Sequence, residues 1–326
     1  MTKTLDRPPA VSVVMSVYNG GQFLPLAIQS ILDQTFKNFE FIIVDDGSTD
    51  NSAEIIKSFN DPRIKLLTQK NKGLVNSLNR AVKISRGEFI ARMDDDDISL
   101  PQRLEKELIA ITANQSIGVA GSYYSYIDTA GTPFASHISP TLHEDLRFLL
   151  LHKNPYGHGS TLIRKEALVK AGLYRDKYPA AEDYDLWRRI ARDWLLVQIP
   201  EGLYLYRQNP EGISSKKSTV QQKSTTRIIN ELWKEVIPAV TALNIKKHYK
   251  FYKKLDTSFA NKIADKYLDD LVRISLAALA KNKPRTFIKT TGGLVLSSPI
   301  HLCKLLYLVG RSLIRKILVK LGIYHK

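Results

Sequence analysis

Cysteine is nearly absent from this chain of 326 residues: Cys303 stands alone. No intramolecular disulfide and no cysteine-built zinc cluster can therefore form, and the composition suits a reducing compartment. Long apolar runs are lacking too. In the C-terminal region the apolar stretch is broken by Lys289, Pro299, His301 and Lys304, and it falls short of the ~20 residues that a membrane-spanning helix requires. The opening, MTKTLDRPPAVSVVMSVYNGG, lacks the order of a signal peptide. Its apolar run is short, β-branched and preceded by two prolines, so a first strand is expected there. No G-x-G-x-x-G opens the first helix and no phosphate-cradling P-loop follows, which argues against a dinucleotide site.

What is present is ordinary in amount and uneven in placement. With 44% hydrophobic and 25% charged residues the chain reads as soluble and globular. The net charge is +16. Residues 1–210 hold 25 Lys+Arg against 25 Asp+Glu, leaving 23 of the 48 basic and only 7 of the 32 acidic residues for 211–326. The whole excess sits in the tail, which is expected to meet an anionic surface, acidic lipid or nucleic acid, while the neutral part does something else.

From residue 11 the pattern alternates: VSVVMSVY as strand, FLPLAIQSILDQ as helix, FEFIIV as strand, NSAEIIKSF as helix, IKLLTQ as strand. A helix over LVNSLNRAVKI, the strand EFIARM, a helix after Pro101 and a strand near GVAGSYYSYI continue it. The order predicts an α/β fold with a mainly parallel sheet and helices on both faces. Ligands of such sheets sit beyond the carboxyl ends of the strands. Two acidic clusters fall at those ends, DDGSTD after FEFIIV and DDDD after EFIARM.

Four adjacent carboxylates repel one another, so the run Asp94 to Asp97 calls for water or a cation. Mg2+ or Mn2+, bound through one or two carboxylates and a ligand's phosphate oxygens, would meet that need. The plain alternatives are local: an aspartate capping the helix near Pro101, and a capping box of Asn51 and Glu54 at the next acidic cluster. Further on, AEDYDLWRRIARDW places Leu186, Trp187, Ile190 and Trp194 at helical spacing. RQNPEGISSKKSTVQQKSTTR is expected to be a mobile loop or linker.

VSVVMSVYNGG, SILDQTF, FIIVDDGSTDNS, GEFIARMDDDD, AEDYDLWRRIA and YRQNPEGIS, in this order, resemble the inverting glycosyltransferases of family 2, of the bacterial polysaccharide-biosynthesis type. The resemblance covers roughly residues 10–215 and implies the Rossmann-like GT-A fold, a catalytic domain over 1–215 and a basic helical region over 216–326. It also implies transfer of a sugar from a nucleotide sugar, most often a UDP-sugar, to a hydroxyl of a glycan or lipid-linked glycan acceptor, with Mn2+ or Mg2+. By the same resemblance Asp94 and Asp96 are the two ends of a D-x-D motif whose first acid approaches the ribose and whose second ligates the metal. The middle residue, usually small, is here Asp95. Asp46 falls where the family contacts uracil, with Ser16, Tyr18 and Asn79 near the nucleotide. Asp183 matches the general base, with Glu182 beside it in support. Arg207 matches an arginine that closes over the diphosphate, and Asn209 replaces the family's metal-binding histidine. His158 is assigned to the acceptor side.

Two other functions compete. A sugar-nucleotide pyrophosphorylase would need a glycine- and lysine-rich loop near its start, which is missing. A nucleic-acid-binding protein would interleave aromatics with basic residues, as KKHYKFYKK at 246–254 does. In the tail, Leu302, Leu306, Val309, Leu313 and Ile317 share a helical face opposite Lys304, Arg311 and Arg315. That pattern suits peripheral attachment to anionic lipid on the cytoplasmic side.

Overall fold

Apolar β-branched runs of five to seven residues, too short for helices, sit between segments of helical period, and in the computed structural model each becomes the element its pattern predicts. The structure describes residues 8–236, apart from Glu211 and residues 213–215. They belong to one compact unit, Met1–Pro238. The expected tail helix around Leu302–Ile317 and the 246–254 segment lie outside the described residues.

Strands β1 (Val11–Val17), β2 (Phe39–Asp45), β3 (Ile64–Thr68) and β4 (Phe89–Met93) pair in parallel in the order β3-β2-β1-β4. Helices α1 (Leu24–Leu32), α2 (Ser52–Ser58) and α3 (Leu74–Ile84) make the crossovers. β1, β2 and β4 are buried almost throughout, which is why they read as continuous rather than alternating apolar runs.

Beyond β4 the sheet changes direction. After β5 (Ile98–Ser99) and α4 (Arg103–Thr112), the long β6 (Ile117–Ile127) folds back through β7 (Pro133–His137). Helix α5 (His143–Leu150) and a 3-10 turn, His158–Ser160, lead into β8 (Thr161–Arg164). β8 lies antiparallel between β4 and β6. Helices α6 (Lys165–Lys170) and α7 (Glu182–Ile190) precede β9 (Leu195–Arg207), which runs parallel to β6 and antiparallel to β5. The sheet is therefore parallel in one half and mixed in the other, and the reversal brings Arg207, at the end of β9, beside the loop that leaves β4.

Three local expectations are corrected. Asn51 stands at the N-cap of α2 without a side-chain cap bond; Asp50 Oδ1 instead accepts the Ser52 N–H at 3.0 Å. Gln102, not an aspartate, precedes α4, again without a side-chain cap. The expected loop after residue 207 gives way to helix α8 (Ser218–Val236), whose Ile228, Ile229 and Leu232 are buried. Glu231 joins α8 to α7 through Arg188 Nη2 at 3.0 Å, and Ser224 Oγ donates to the Pro179 carbonyl at 2.8 Å. Among the described residues no helix is long and apolar enough to cross a membrane.

Candidate active site

Beyond β4 the four aspartates part company. Arg92, 1% exposed, sends Nη2 to Asp94 Oδ1 at 2.6 Å. The Asp94 backbone N–H donates to Tyr204 Oη at 3.3 Å, and Asp94 keeps part of its carboxylate open. Asp95 lies against the NGG loop after β1: a Cβ on Gly20 would stand 2.5 Å from its Oδ2, so only glycine leaves it room. Asp96 accepts from Asn209 Nδ2 at 3.3 Å. Asp97 is buried and takes the Arg207 backbone N–H at 2.7 Å, which anchors the end of the run.

Burial, then the charges of neighbouring aspartates, pushes Asp95 up to about 8 and Asp96 up to about 6. The run is short of positive charge. Its hard oxygen donors and surplus negative charge fit Mg2+ or Mn2+, as expected. Among the described residues no three His, Cys, Asp or Glu side chains converge as a closed site. An ion here would take one or two carboxylates from the chain and its remaining ligands from phosphate and water.

Arg207 is buried and already engaged. Its Nε donates to the Asp96 carbonyl at 2.8 Å, its Nη1 to Asp128 O at 2.9 Å and Thr129 O at 3.2 Å, and its guanidinium lies 4.4 Å from the Phe23 ring centroid. It ties the aspartate run to the β6–β7 turn. Asn209, expected as a metal ligand, here holds the Asp96 carboxylate through its amide nitrogen.

Ser16 is the penultimate residue of strand β1, half-buried, and Tyr18 just beyond the strand is exposed. The loop that follows is sewn to the DDGSTDNS segment: Asn19 Oδ1 accepts the Thr49 N–H at 2.8 Å, and the Gly21 N–H donates to Asp50 Oδ2 at 3.1 Å. Asp46 is buried and accepts from Gln69 Nε2 at 2.6 Å, the Lys72 N–H at 2.9 Å and the Gly73 N–H at 2.7 Å. Three of its roughly four acceptor positions are therefore taken, and its carboxylate shapes the 69–73 loop. Asn79, expected near the nucleotide, braces α3 against Tyr174: its Nδ2 donates to Tyr174 O at 3.0 Å and its Oδ1 accepts the Tyr174 N–H at 3.1 Å.

Glu182 and Asp183 open α7. Burial, then the adjacent Asp183, raises Glu182 to about 7. Burial raises Asp183 to about 6 against the lowering pull of its hydrogen bonds, with the Asp94 charge adding to the rise. Asp183 accepts from Asn154 Nδ2 at 2.6 Å and from the Tyr184 N–H at 2.7 Å. A carboxylate poised near neutrality is suited to taking a proton. His158 Nε2 lies 3.0 Å from Tyr174 Oη, and burial together with the nearby Arg92 lowers its basicity well below the usual histidine range.

Three partners escaped the sequence reading: Arg92, Asn154 and Tyr204. The first stands inside the quoted ARMDDDD and the second precedes a proline, but what marks either is a contact made across the fold.

The family pattern described as "Glycosyl transferase family 2" matches residues 12–172. An uncharacterized glycosyltransferase of Haemophilus influenzae is 33% identical over 245 residues, 70% of this chain and 74% of its own length. Among solved structures, S. aureus TarS (1–349), in complex with UDP-GlcNAc, is 18% identical with a TM-score of 0.57, covering 86% of this chain and 77% of that one. The mannosyltransferase PcManGT of Pyrobaculum calidifontis, in complex with GDP-Man and Mn2+, is 18% identical with a TM-score of 0.53, covering 92% and 87%. At such identities the two structures share the GT-A fold with this chain.

Proposed function

Because the chain belongs to glycosyltransferase family 2, we propose that it transfers a sugar, with inversion, from a UDP-sugar to a hydroxyl of a growing polysaccharide, lipopolysaccharide or lipid-linked glycan. The observation that carries this reading is the convergence of two acidic groups: Asp94–Asp96 beyond β4, and Glu182–Asp183 opening α7, close enough that the Asp94 charge raises Asp183. The first group holds more carboxylates than Arg92, the ion-pair partner of Asp94, can balance, which suits a site for a metal and a diphosphate. The second is tuned to accept a proton.

In this reading Asp96, with Asp94, would hold a divalent ion. When bound, the ion would neutralise the diphosphate and help it leave. Asp183 takes the acceptor's hydroxyl proton as that oxygen attacks the anomeric carbon, and a single displacement inverts the centre. Glu182 stands beside Asp183 in a supporting role. Arg92 steadies Asp94, and Arg207 and Asn209 steady Asp96.

The experiment is isothermal titration of UDP and GDP with Mn2+ and with EDTA, followed by a nucleotide-sugar panel scored for slow hydrolysis. Wild type should bind UDP only with the metal, and Asp96→Ala should abolish that dependence. Equal affinity in Mn2+ and EDTA overturns the metal reading, and preference for GDP overturns the donor.

A further inference from the structure

Strands β6 and β7 carry no Lys, Arg, Asp or Glu, yet they border a site crowded with charge. They present rings instead. Tyr124 and Tyr126 lie on one face of β6 by the two-residue period of a strand. Tyr206 on β9 is the register partner of Tyr126, with ring centroids 5.6 Å apart, edge to face. His137 on β7 pairs with Tyr124 and stacks on it at 4.7 Å, the ring planes nearly parallel at 11°. Burial lowers the basicity of His137, with the nearby Lys153 charge acting in the same direction.

The fifth ring is out of step. In the β6–β7 pairing Tyr126 faces Ala135 and Ile127 faces Pro133, so Phe134 is the residue skipped by a bulge. Regular alternation would send Phe134 to the opposite face from Ala135. The bulge re-aims it, and its ring stacks on Tyr126 with centroids 6.1 Å apart. It stays 57% exposed. Core packing does not call for a bulge that keeps a large apolar ring in water, whereas a ligand surface does.

The ladder adjoins the candidate chemistry at both ends. Tyr206 precedes Arg207, whose Nε holds the Asp96 carbonyl and whose Nη1 holds the turn between β6 and β7. At the other end Tyr124 lies close enough to Asp183 for that carboxylate to affect its hydroxyl, and a Cβ on Gly157 would stand 2.9 Å from its ring. Tyr124 Oη lies 3.4 Å from Tyr126 Oη, so hydroxyls are interleaved with ring faces.

We propose that the Tyr126–Tyr206–Phe134 ladder, backed by the buried Tyr124, is the acceptor subsite, and that it takes an uncharged glycan whose pyranose rings stack on the aromatic faces while their hydroxyls bond the tyrosines. The inference rests on the glycosyltransferase reading and adds the class of acceptor. An acyl chain would leave the phenolic hydroxyls unmatched, and a phosphate-bearing or uronate strand would find no cation on β6 or β7.

The test uses the full chain on an array of neutral and anionic bacterial oligosaccharides, with the tightest neutral binder then supplied as acceptor. Phe134→Ala removes an exposed ring, and Tyr126→Phe keeps the ring and removes a hydroxyl. Both should leave the thermal midpoint and Mn2+-dependent UDP affinity unchanged while weakening glycan binding by about tenfold or less, the range of one aromatic contact. Acceptor KM should rise in proportion with kcat retained. Binding confined to anionic glycans, glycan affinity untouched by Phe134→Ala, or loss of binding to phosphatidylglycerol vesicles in place of glycan would each overturn the proposal. Metal-dependent UDP binding, measured in the same samples, reports separately on the glycosyltransferase reading.

Discussion

Replacing Asp183 by asparagine separates a base from a helix-capping acid. At neutral pH the native carboxylate is ionised in a place that disfavours its charge. A rise from 3.8 to about 6 corresponds to ~3 kcal/mol at 1.36 kcal/mol per unit, nearer ~2 after solvent screening of a half-buried group. Asparagine removes that penalty. It also keeps only one acceptor oxygen where two donors, Asn154 Nδ2 and the Tyr184 N–H, now meet two, and losing a bond to a charged group costs ~1.5–3 kcal/mol. The two effects nearly cancel, so stability should change by no more than ~1 kcal/mol, or ~2–4 °C for a domain of this size. Transfer should nevertheless fall by about 10²–10⁴.

The pH dependence has a definite sign. A carboxyl raised in the folded state favours folding when protonated, so the wild type gains stability as pH falls from about 6 toward 3.8, and Asp183→Asn loses that gain. Wild-type kcat/KM should fall over the same acid range, because the base becomes protonated. The assays are a thermal melt from pH 5 to 8, UDP titration with Mn2+, and initial transfer rates with the product anomer read by NMR. Near-normal turnover of Asp183→Asn, a parallel loss of stability and activity, or a retained anomer would remove Asp183 from the role of base.

Gly159→Ala would place a Cβ 2.0 Å from Tyr204 Oη and 2.9 Å from Asp94 Oδ2, so UDP-sugar affinity should drop by more than about tenfold, a loss that ~1.4 kcal/mol accounts for; unchanged titration would show that the turn yields. Gln34 is buried and donates through Nε2 to Leu100 O at 2.8 Å while its Oε1 accepts the Leu104 N–H at 3.0 Å, so Gln34→Leu should cost about 2–4 kcal/mol in a urea melt by orphaning those groups. A loss within experimental error would refute that accounting. The basic tail should sediment with anionic vesicles at low salt, and a chain truncated at Pro299 should not; equal sedimentation of the two would place attachment elsewhere.

The sequence alone determined those features whose cause is local. The short apolar run FEFIIV and the helical period of NSAEIIKSF announce strand and helix because side-chain pattern follows backbone geometry over a few residues. The strand-end position of DDGSTD and DDDD follows from the same reading, and motif order led to the family. Even locally, competing side chains were not resolved: Asp50 accepts the Ser52 N–H at the start of α2, and Asn51 makes no side-chain cap bond. Tertiary structure decided what depends on distant partners. Arg207 Nε reaches the Asp96 carbonyl across 111 positions, Asn79 Nδ2 reaches the Tyr174 carbonyl across 95, and Asn154 Nδ2 reaches Asp183 across 29. Nothing in the neighbouring residues encodes such pairs, because an arginine or asparagine bonds whatever acceptor folding brings within reach. The bulge at Phe134 is of the same kind, since a single skipped residue in the β6–β7 register sets which face its ring meets.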